Sequence, residues 1–323
     1  MGDSMPEPAR APGTTPPVVP VPSPEDRGLL ACPVCAGPLE RTEPRRLSCA
    51  SGHRYDAAKQ GYFNLLTGRG TKFREDTAEM VAARASFQAA GYYDALADAV
   101  ADQVLEHLDI AGGRRGAPDP AAGPVRIVDA GAGTGFYLAR TIDALESYAP
   151  GVQAAALDIS RYAMRRAARV PHTTALVWDL WRRLPLRDAG ADVLLNVFAP
   201  RNGAEYRRIV RPGGLAVVVT PLPHHLAEVR DRLGMLGIAG GKEEAVGERL
   251  TDAFERIDST SVESTLELDG VHAVDLALMG PAGHHADRDR IQARLDQSAL
   301  PLTATAAFRI QSFRRRGPQA TDR

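Results

Sequence analysis

Cys32, Cys35, Cys49 and His53 follow one another as C-x2-C-x13-C-x3-H, and the 323-residue chain contains no further cysteine. Three thiols leave one over in any disulfide scheme, whereas three thiolates and an imidazole make a tetrahedral shell. Zn2+ accepts that sulfur-rich set without redox chemistry. Protein atoms would fill all four positions and leave no place for an activated water. The predicted zinc is therefore structural, holding a lobe too small for its own core to hold. Around these ligands, residues 28–75 carry eight Arg or Lys side chains against four Asp or Glu, in a chain whose net charge is −1. Arg45, Arg46, Arg54, Lys59, Lys72 and Arg74 are the cations that could follow a phosphate backbone. Tyr55, Tyr62 and Phe63 interleave with them; exposed rings would stack on unpaired bases, and buried ones would pack beneath the lobe.

A second constellation begins at VRIVDAGAGTGFYLA. Asp129 closes a short apolar run, and Gly131, Gly133 and Gly135 open a turn through which a nucleotide can approach the backbone closely. The dinucleotide spacing G-x-G-x-x-G is absent, as is a Walker GK[ST]. Asp158 ends the next run, 29 residues after Asp129, where a carboxylate can accept both ribose hydroxyls. Trp178, Asp179 and Leu180 follow a third run. Asp179 reads as the acceptor for an adenine amino group or as a helix cap, with Trp178 or Leu180 beside the ring. A fourth run ends at Asn196 in NVFAP. Glycine turn, acid, acid and polar-aromatic loop form a row that favours S-adenosylmethionine over a dinucleotide, with Asn196 also counted among the cofactor residues.

These groups need strands to present them. Apolar runs at 125–128, in AALD, in ALV, in ADVLLNV and in RPGGLAVVVTP alternate with helical stretches, the pattern of a parallel sheet covered on both faces. Leu96, Val100, Val104 and Leu108 repeat at i,i+4 in a helical stretch from Thr77 that Gly91 interrupts. A helix is predicted over 224–236. Two alternating stretches near 254–270 and 303–316 predict antiparallel strands at the sheet edge, and AVDLALMGPAGHH predicts a helix followed by a gate. His284 and His285 read as a solvated turn, since no cysteine or spaced carboxylate supports them as metal ligands. The expected fold class is α/β, Rossmann-like and of the class I type used by methyltransferases dependent on S-adenosylmethionine, with a small N-terminal zinc-binding module. The expected layout is a disordered Pro-rich tail (1–27), the zinc module (28–75) and a helical connector (76–111). A loop (112–124), the methyltransferase domain (125–316) and a flexible tail (317–323) follow. No basic start followed by an apolar leader opens the chain, and nowhere do 18 apolar residues run together; the expected location is the cytoplasm, with no membrane partner.

CPVCAGPL, CASGHRYDAAKQGYFNLL, TAEMVAARASFQAAGYYDAL, VDAGAGTGFYL, LDIS, NVFAP and IVRPGGLAVVVTPLPHHLAEV occur in that order. Over about residues 29–315 the sequence resembles the bacterial 23S rRNA (guanine-N1)-methyltransferases. VWDLW, NVFAPRN and MVAARA resemble the branch associated with tylosin-type macrolide resistance in actinomycetes, which modifies guanine 748 of hairpin 35; another branch modifies guanine 745. The resemblance implies 23S rRNA as partner, a zinc lobe used in RNA recognition and a homodimer whose basic surfaces form a cleft. It assigns the zinc ligands to Cys32, Cys35, Cys49 and His53, the glycine turn to Gly131, Gly133 and Gly135, and the ribose acid to Asp158. Ala132 stands where Cys or Gly is common in that family, and the N-terminal extension and loop 112–124 have no clear counterpart.

For methyl transfer to guanine N1, Asn196, Phe198 and Pro200 are the residues expected to orient the base, with Phe198 stacking on it. Trp181 and Arg201 are expected to hold its edge or a neighbouring phosphate; Phe198 and Trp181 read equally well as core packing. No residue is identified as the acceptor of the N1 proton. Two other readings stand beside this one, methylation of a small metabolite and RNA binding without catalysis.

Overall fold

The computed structural model describes residues 28–68, 70–108, 123–149, 151–235, 250, 252–297 and 299–317. The expected disordered tail (1–27), most of the expected loop (112–122), Arg69, Leu236 and the last residues (318–323) lie outside the described residues.

Three short strands, β1 (Glu40–Glu43), β2 (Arg46–Ser48) and β3 (Arg54–Asp56), form an antiparallel sheet around the cysteines. The next strand, β4 (Phe63–Asn64), belongs instead to the large sheet, where it pairs in parallel with β7 (Thr173–Val177). The helical stretch predicted from Thr77 forms α1 (Ala78–Ala89) and α2 (Asp94–His107), broken around Gly91. Thr77 caps α1 by accepting the Met80 amide through its side chain. Leu96, Val100 and Val104 are at most 1% exposed, so the i,i+4 stripe of α2 faces the core as expected.

From there strand and helix alternate: β5 (Val125–Ala130), α3 (Phe136–Leu145), β6 (Val152–Asp158), α4 (Arg161–Ala167), β7, β8 (Ala191–Val197), α5 (Gly203–Ile209) and β9 (Val210–Pro221). After α6 (Ala227–Leu233) come β10 (Phe254–Leu268), α7 (Gly270–Met279), α8 (Arg288–Leu295) and β11 (Leu302–Arg315). The sheet order is β10-β11-β9-β8-β5-β6-β7-β4. β4 to β9 run parallel where they pair, and only β10 and β11 run antiparallel to their neighbours. This is the Rossmann-like α/β architecture predicted, with the two alternating C-terminal segments at the sheet edge. β8 and the second half of β9 are mostly apolar, Asp192, Asn196 and Thr220 apart, because side chains on both faces are buried. The strand order reverses between β5 and β8, and that switch opens a crevice at the carboxyl ends of the strands.

The helix predicted over 224–236 is shorter than its apolar pattern suggested. Leu226 takes a left-handed φ of 58°, and its amide donates to Thr305 O, so His224–Leu226 form a turn against β11 and α6 starts only at Ala227. α7 begins at Gly270, three residues before the predicted helix, because the Asp269 side chain caps it by accepting the His272 amide.

The cysteine lobe is not a separate bead. Leu29, Leu39, Leu47, Phe63 and Leu65 are buried in one cluster with Val128, Leu157, Leu176 and Trp178 of the large domain. Phe63 is fully buried, which makes it a packing residue and removes it as a stacking ring. Tyr62 packs against the main core and is only partly buried.

Candidate active site and metal centre

The donor atoms of Cys32, Cys35, Cys49 and His53 all lie within 4.8 Å of one another. Cys35 Sγ is 3.6 Å from Cys49 Sγ, and His53 Nδ1 is 3.3 Å from Cys49 Sγ and 3.6 Å from Cys32 Sγ. A tetrahedron with Zn–S near 2.3 Å has S···S edges of roughly 3.7 Å, so the donors are already spaced for zinc. Two tight turns set them: the Ala36 amide donates to Cys32 O and the Gly52 amide to Cys49 O. Hydrogen bonds from the Ser51 side chain and then the Gly37 amide lower the Cys35 thiol to about 6, favouring the thiolate a metal requires. The Tyr55 hydroxyl lies 3.5 Å from Cys32 Sγ, where it can donate to the thiolate. That contact gives Tyr55 a place in the metal site. Thus the arrangement suits a structural zinc held by Cys32, Cys35, Cys49 and His53, with no position left over.

The crevice is built on the glycine turn. The Gly131 and Ala132 amides donate to Leu157 O, and the Gly133 amide donates to Asp158 Oδ2 at 3.0 Å. Gly131 has φ +90°, and a Cβ there would run into the Cβ of Ala199, so only glycine lets NVFAP approach the turn. Asp158 Oδ1 accepts the Ser160 amide at 2.8 Å, and burial raises its carboxyl above the ordinary range. At the end of β7, Asp179 accepts from Thr71 Oγ1 at 2.9 Å and from the Trp181 amide at 3.0 Å. Leu180 Cδ1 lies beside Gly131. Gly135 precedes α3 and packs against Ala167 and Val170.

Three buried polar groups at these strand ends keep atoms without partners among the described residues: both oxygens of Asp129, Oδ1 of Asn196 and Nε1 of Trp178. Asp129 is 1% exposed. Such orphans are costly unless a ligand or water satisfies them, and their clustering beside a glycine-lined crevice fits a polar nucleotide-like cofactor. Burial, and then the charge of Asp158, push Asp129 up to about 8. The folded chain therefore holds a proton that the unfolded chain loses near pH 4, and stability falls as pH rises from that range through 8. Asp129→Asn, which cannot ionise, should flatten that fall by on the order of 3 kcal/mol between pH 5 and 8. Denaturant titration of the ligand-free protein across this range checks it; identical slopes for wild type and variant would count against a buried proton.

The NVFAP loop presents one ring and hides one amide. Phe198 is 43% exposed with a left-handed φ of 57°, an uncommon conformation for a bulky residue. Its ring lies 5.3 Å from that of Phe308 and 6.2 Å from that of Tyr137, and the wall continues through His225 and Tyr93. Asn196 is fully buried, and its Nδ2 lies 3.0 Å from Ala130 O, 3.1 Å from Pro200 O and 2.8 Å from the Tyr206 hydroxyl. In this position Asn196 braces the loop, while Phe198 and Pro200 are exposed. Tyr206, which also donates to Pro200 O, is a brace the sequence did not reveal.

The expected RNA contacts divide into committed and open groups. Arg46 pairs with Glu43 and Asp56, and Arg45 donates to Ala57 O and Ala58 O, so both already serve the lobe. Arg54, Lys59, Lys72 and Arg74 are exposed. Trp181 is 49% exposed, which places it on the surface and outside the core. Arg201 is half-buried at the end of the NVFAP loop. Lys72 and Arg74 lie on a strap, described over residues 66–68 and 70–77, that joins the lobe to α1 across the carboxyl ends of β7 and β6. Arg182 donates to Thr67 O, Thr71 to Asp179, the Arg161 amide to Glu75 and Ser160 Oγ to Asp76 O. Sequence reasoning missed this strap because none of its residues carries a motif.

Residues 30–68 match the family model described as RlmA, N-terminal, a zinc ribbon. The chain is 46% identical over 293 residues to a protein of Micromonospora griseorubida described provisionally as a 23S rRNA (guanine-N1)-methyltransferase, a match covering 88% of this chain and 97% of the relative. It is 43% identical over 267 residues to the 23S rRNA (guanine(748)-N(1))-methyltransferase of Streptomyces fradiae, covering 82% of this chain and 89% of that one. A solved structure from Bacillus halodurans, described provisionally as a methyltransferase, aligns with 60% of this chain and 94% of its own at 11% identity and a TM-score of 0.42. With that extent of identity to both relatives, the chain belongs to the family of 23S rRNA (guanine-N1)-methyltransferases.

Proposed function

We propose that the protein methylates N1 of guanine 748 in hairpin 35 of 23S rRNA, using S-adenosylmethionine. The observation that carries this reading is the 43% identity to the Streptomyces fradiae guanine-748 enzyme over 89% of its length. Bound S-adenosylmethionine supplies an activated methyl group for an in-line transfer. Asp158 accepts the ribose hydroxyls, Asp179 the adenine amino group, and Trp178 and Leu180 flank the ring. The glycine turn lets the cofactor sit against the ends of β5 and β6. Phe198, strained and exposed beside the aromatic wall, stacks on a guanine rotated out of its loop, which costs less than extracting a base from a duplex. Pro200 and the Asn196-braced loop fix where that base stops, and Trp181 and Arg201 hold its surroundings. Alignment of base and methyl is the chief contribution asked of the protein.

The zinc lobe contributes the exposed cations Arg54 and Lys59, and the strap adds Lys72 and Arg74, so phosphates bound there lie near the adenine side of the crevice. Arg45 and Arg46 support the lobe that carries them. A homodimer would join two such surfaces into one cleft, and lowered macrolide sensitivity is the consequence expected of the modification. The purified protein should transfer labelled methyl from S-adenosylmethionine to 23S rRNA, and digestion should release the label as 1-methylguanosine. Label appearing in a small acceptor and never in RNA would overturn the substrate class; cofactor binding without any transfer would favour a binding module.

A further inference from the structure

The four strand ends leave one part of the cofactor without a charged partner. With ribose at Asp158 and adenine toward Asp179, the amino-acid end of S-adenosylmethionine extends the other way, over the glycine turn. It carries a carboxylate, and a buried carboxylate needs a cation. None of the residues singled out from the sequence for the cofactor is basic.

Arg84 meets that need. It lies in the middle of α1, its side chain 24% exposed. Its Nη1 lies 3.6 Å and its Cδ 3.9 Å from the point where a Cβ on Gly133 would stand, so the guanidinium sits directly above the middle glycine of the turn. Nη2 donates to Asp76 Oδ2 at 2.7 Å and to Met279 O at 2.6 Å. Among the described residues no hydrogen bond is formed by Nη1. One helical turn further on, Gln88 Oε1 accepts from Thr134 Oγ1 at 2.6 Å, which locks α1 onto the same glycine turn. Burial raises the pKa of both Asp158 and Tyr137, and the charge of Arg84 opposes that rise in each, so Arg84 faces the crevice electrostatically as well as geometrically.

We infer that Arg84 binds the carboxylate of the amino-acid moiety of S-adenosylmethionine, donating through Nη1 while Nη2 keeps its bonds to Asp76 and Met279 O. This rests on the assignment of S-adenosylmethionine to the crevice. The same side chain then joins three parts of the protein at the cofactor: the strap through Asp76, α1, and the end of α7 through Met279. His284 Nε2, 3.7 Å from Asp76 Oδ1, extends the cluster into the turn after α7. Occupancy of the crevice thereby bears on the strap that carries Lys72 and Arg74.

Two ligands separate a carboxylate contact from a general structural role. S-adenosylhomocysteine carries the amino acid, whereas 5′-methylthioadenosine keeps adenine, ribose and sulfur and lacks it. Calorimetric titration of the full chain should show Arg84→Gln weakening S-adenosylhomocysteine binding by about 10- to 100-fold, the worth of a charge-assisted hydrogen bond. Binding of 5′-methylthioadenosine should stay within about twofold of wild type by the same reasoning, because it makes none of that contact. Arg84→Lys, which keeps the charge and loses the fork, should fall between. Equal weakening of both ligands would overturn the proposal and make Arg84 a brace for α1, and unchanged S-adenosylhomocysteine binding would overturn it outright. Wild type failing to bind S-adenosylhomocysteine would instead defeat the cofactor assignment. Should Arg84→Gln fail to fold, Arg84→Lys carries the same two-ligand comparison.

Discussion

Cys49→Ala is expected to empty the metal site, reducing bound zinc from about one per chain to a small fraction of that, since three remaining donors leave an open shell. Zinc supplies on the order of 10 kcal/mol to small zinc-held folds, far more than the lobe's short strands can replace. β1, β2 and β3 hold three or four residues each, and β1 is exposed throughout. The damage should stop at the lobe. Leu65, Leu157, Leu176 and Trp178 remain in a core anchored by the large sheet. Affinity for 23S rRNA should therefore fall by at least about tenfold as the exposed cations lose their common platform, while binding of S-adenosylhomocysteine persists within several-fold. Atomic-absorption zinc content, filter binding at fixed salt and calorimetry read the three consequences. Full zinc occupancy with unchanged RNA affinity would remove the lobe from the account.

Asp158→Ala is expected to produce the largest loss of cofactor affinity of any single change in the crevice. The carboxylate would accept two ribose hydroxyls, and charge-assisted bonds of this kind contribute roughly 1.5–3 kcal/mol each. It also accepts the Gly133 and Ser160 amides, so its removal loosens the glycine turn that approaches the cofactor. A reduction of about 100-fold or more in S-adenosylhomocysteine affinity follows. Asp158→Asn, which keeps one carbonyl acceptor but adds a donor, should lose less. The comparison is informative because both variants relieve the buried charge and only alanine empties the acceptor site. An alanine variant that binds like wild type would place the ribose elsewhere.

Much of this architecture was legible because its signals are local. The glycine turn, Asp158 and the alternation of apolar runs with helical stretches mark a parallel sheet and its open edge within short windows of sequence. The cysteine spacing did the same for the metal lobe. The parts that escaped are those made by distant contact. Thr71 reads as an ordinary linker residue until the fold sets it against Asp179, 108 positions later. Arg84 reads as one arginine on a helix, and only the docking of α1 on the glycine turn sets its guanidinium over Gly133. Asn196 reads as a base-orienting amide from its place after an apolar strand, yet the proximity of Ala130, Pro200 and Tyr206 turns it inward. The aromatic wall escaped as well, because Tyr93, Tyr137, Phe198, His225 and Phe308 come from five separate segments.

The pairing of lobe and crevice gives the proposed reaction its geometry: phosphates held at the strap, a base at Phe198 and the methyl donor between them. Reverse transcription across hairpin 35 after incubation of unmodified 23S rRNA with the protein and S-adenosylmethionine tests this most directly, because a methyl on guanine N1 blocks base pairing and stops the polymerase. The account predicts a new arrest at guanine 748, dependent on the cofactor and lost with Asp158→Ala. An arrest at guanine 745 or elsewhere, or a transcript that reads through hairpin 35 unchanged, would contradict it.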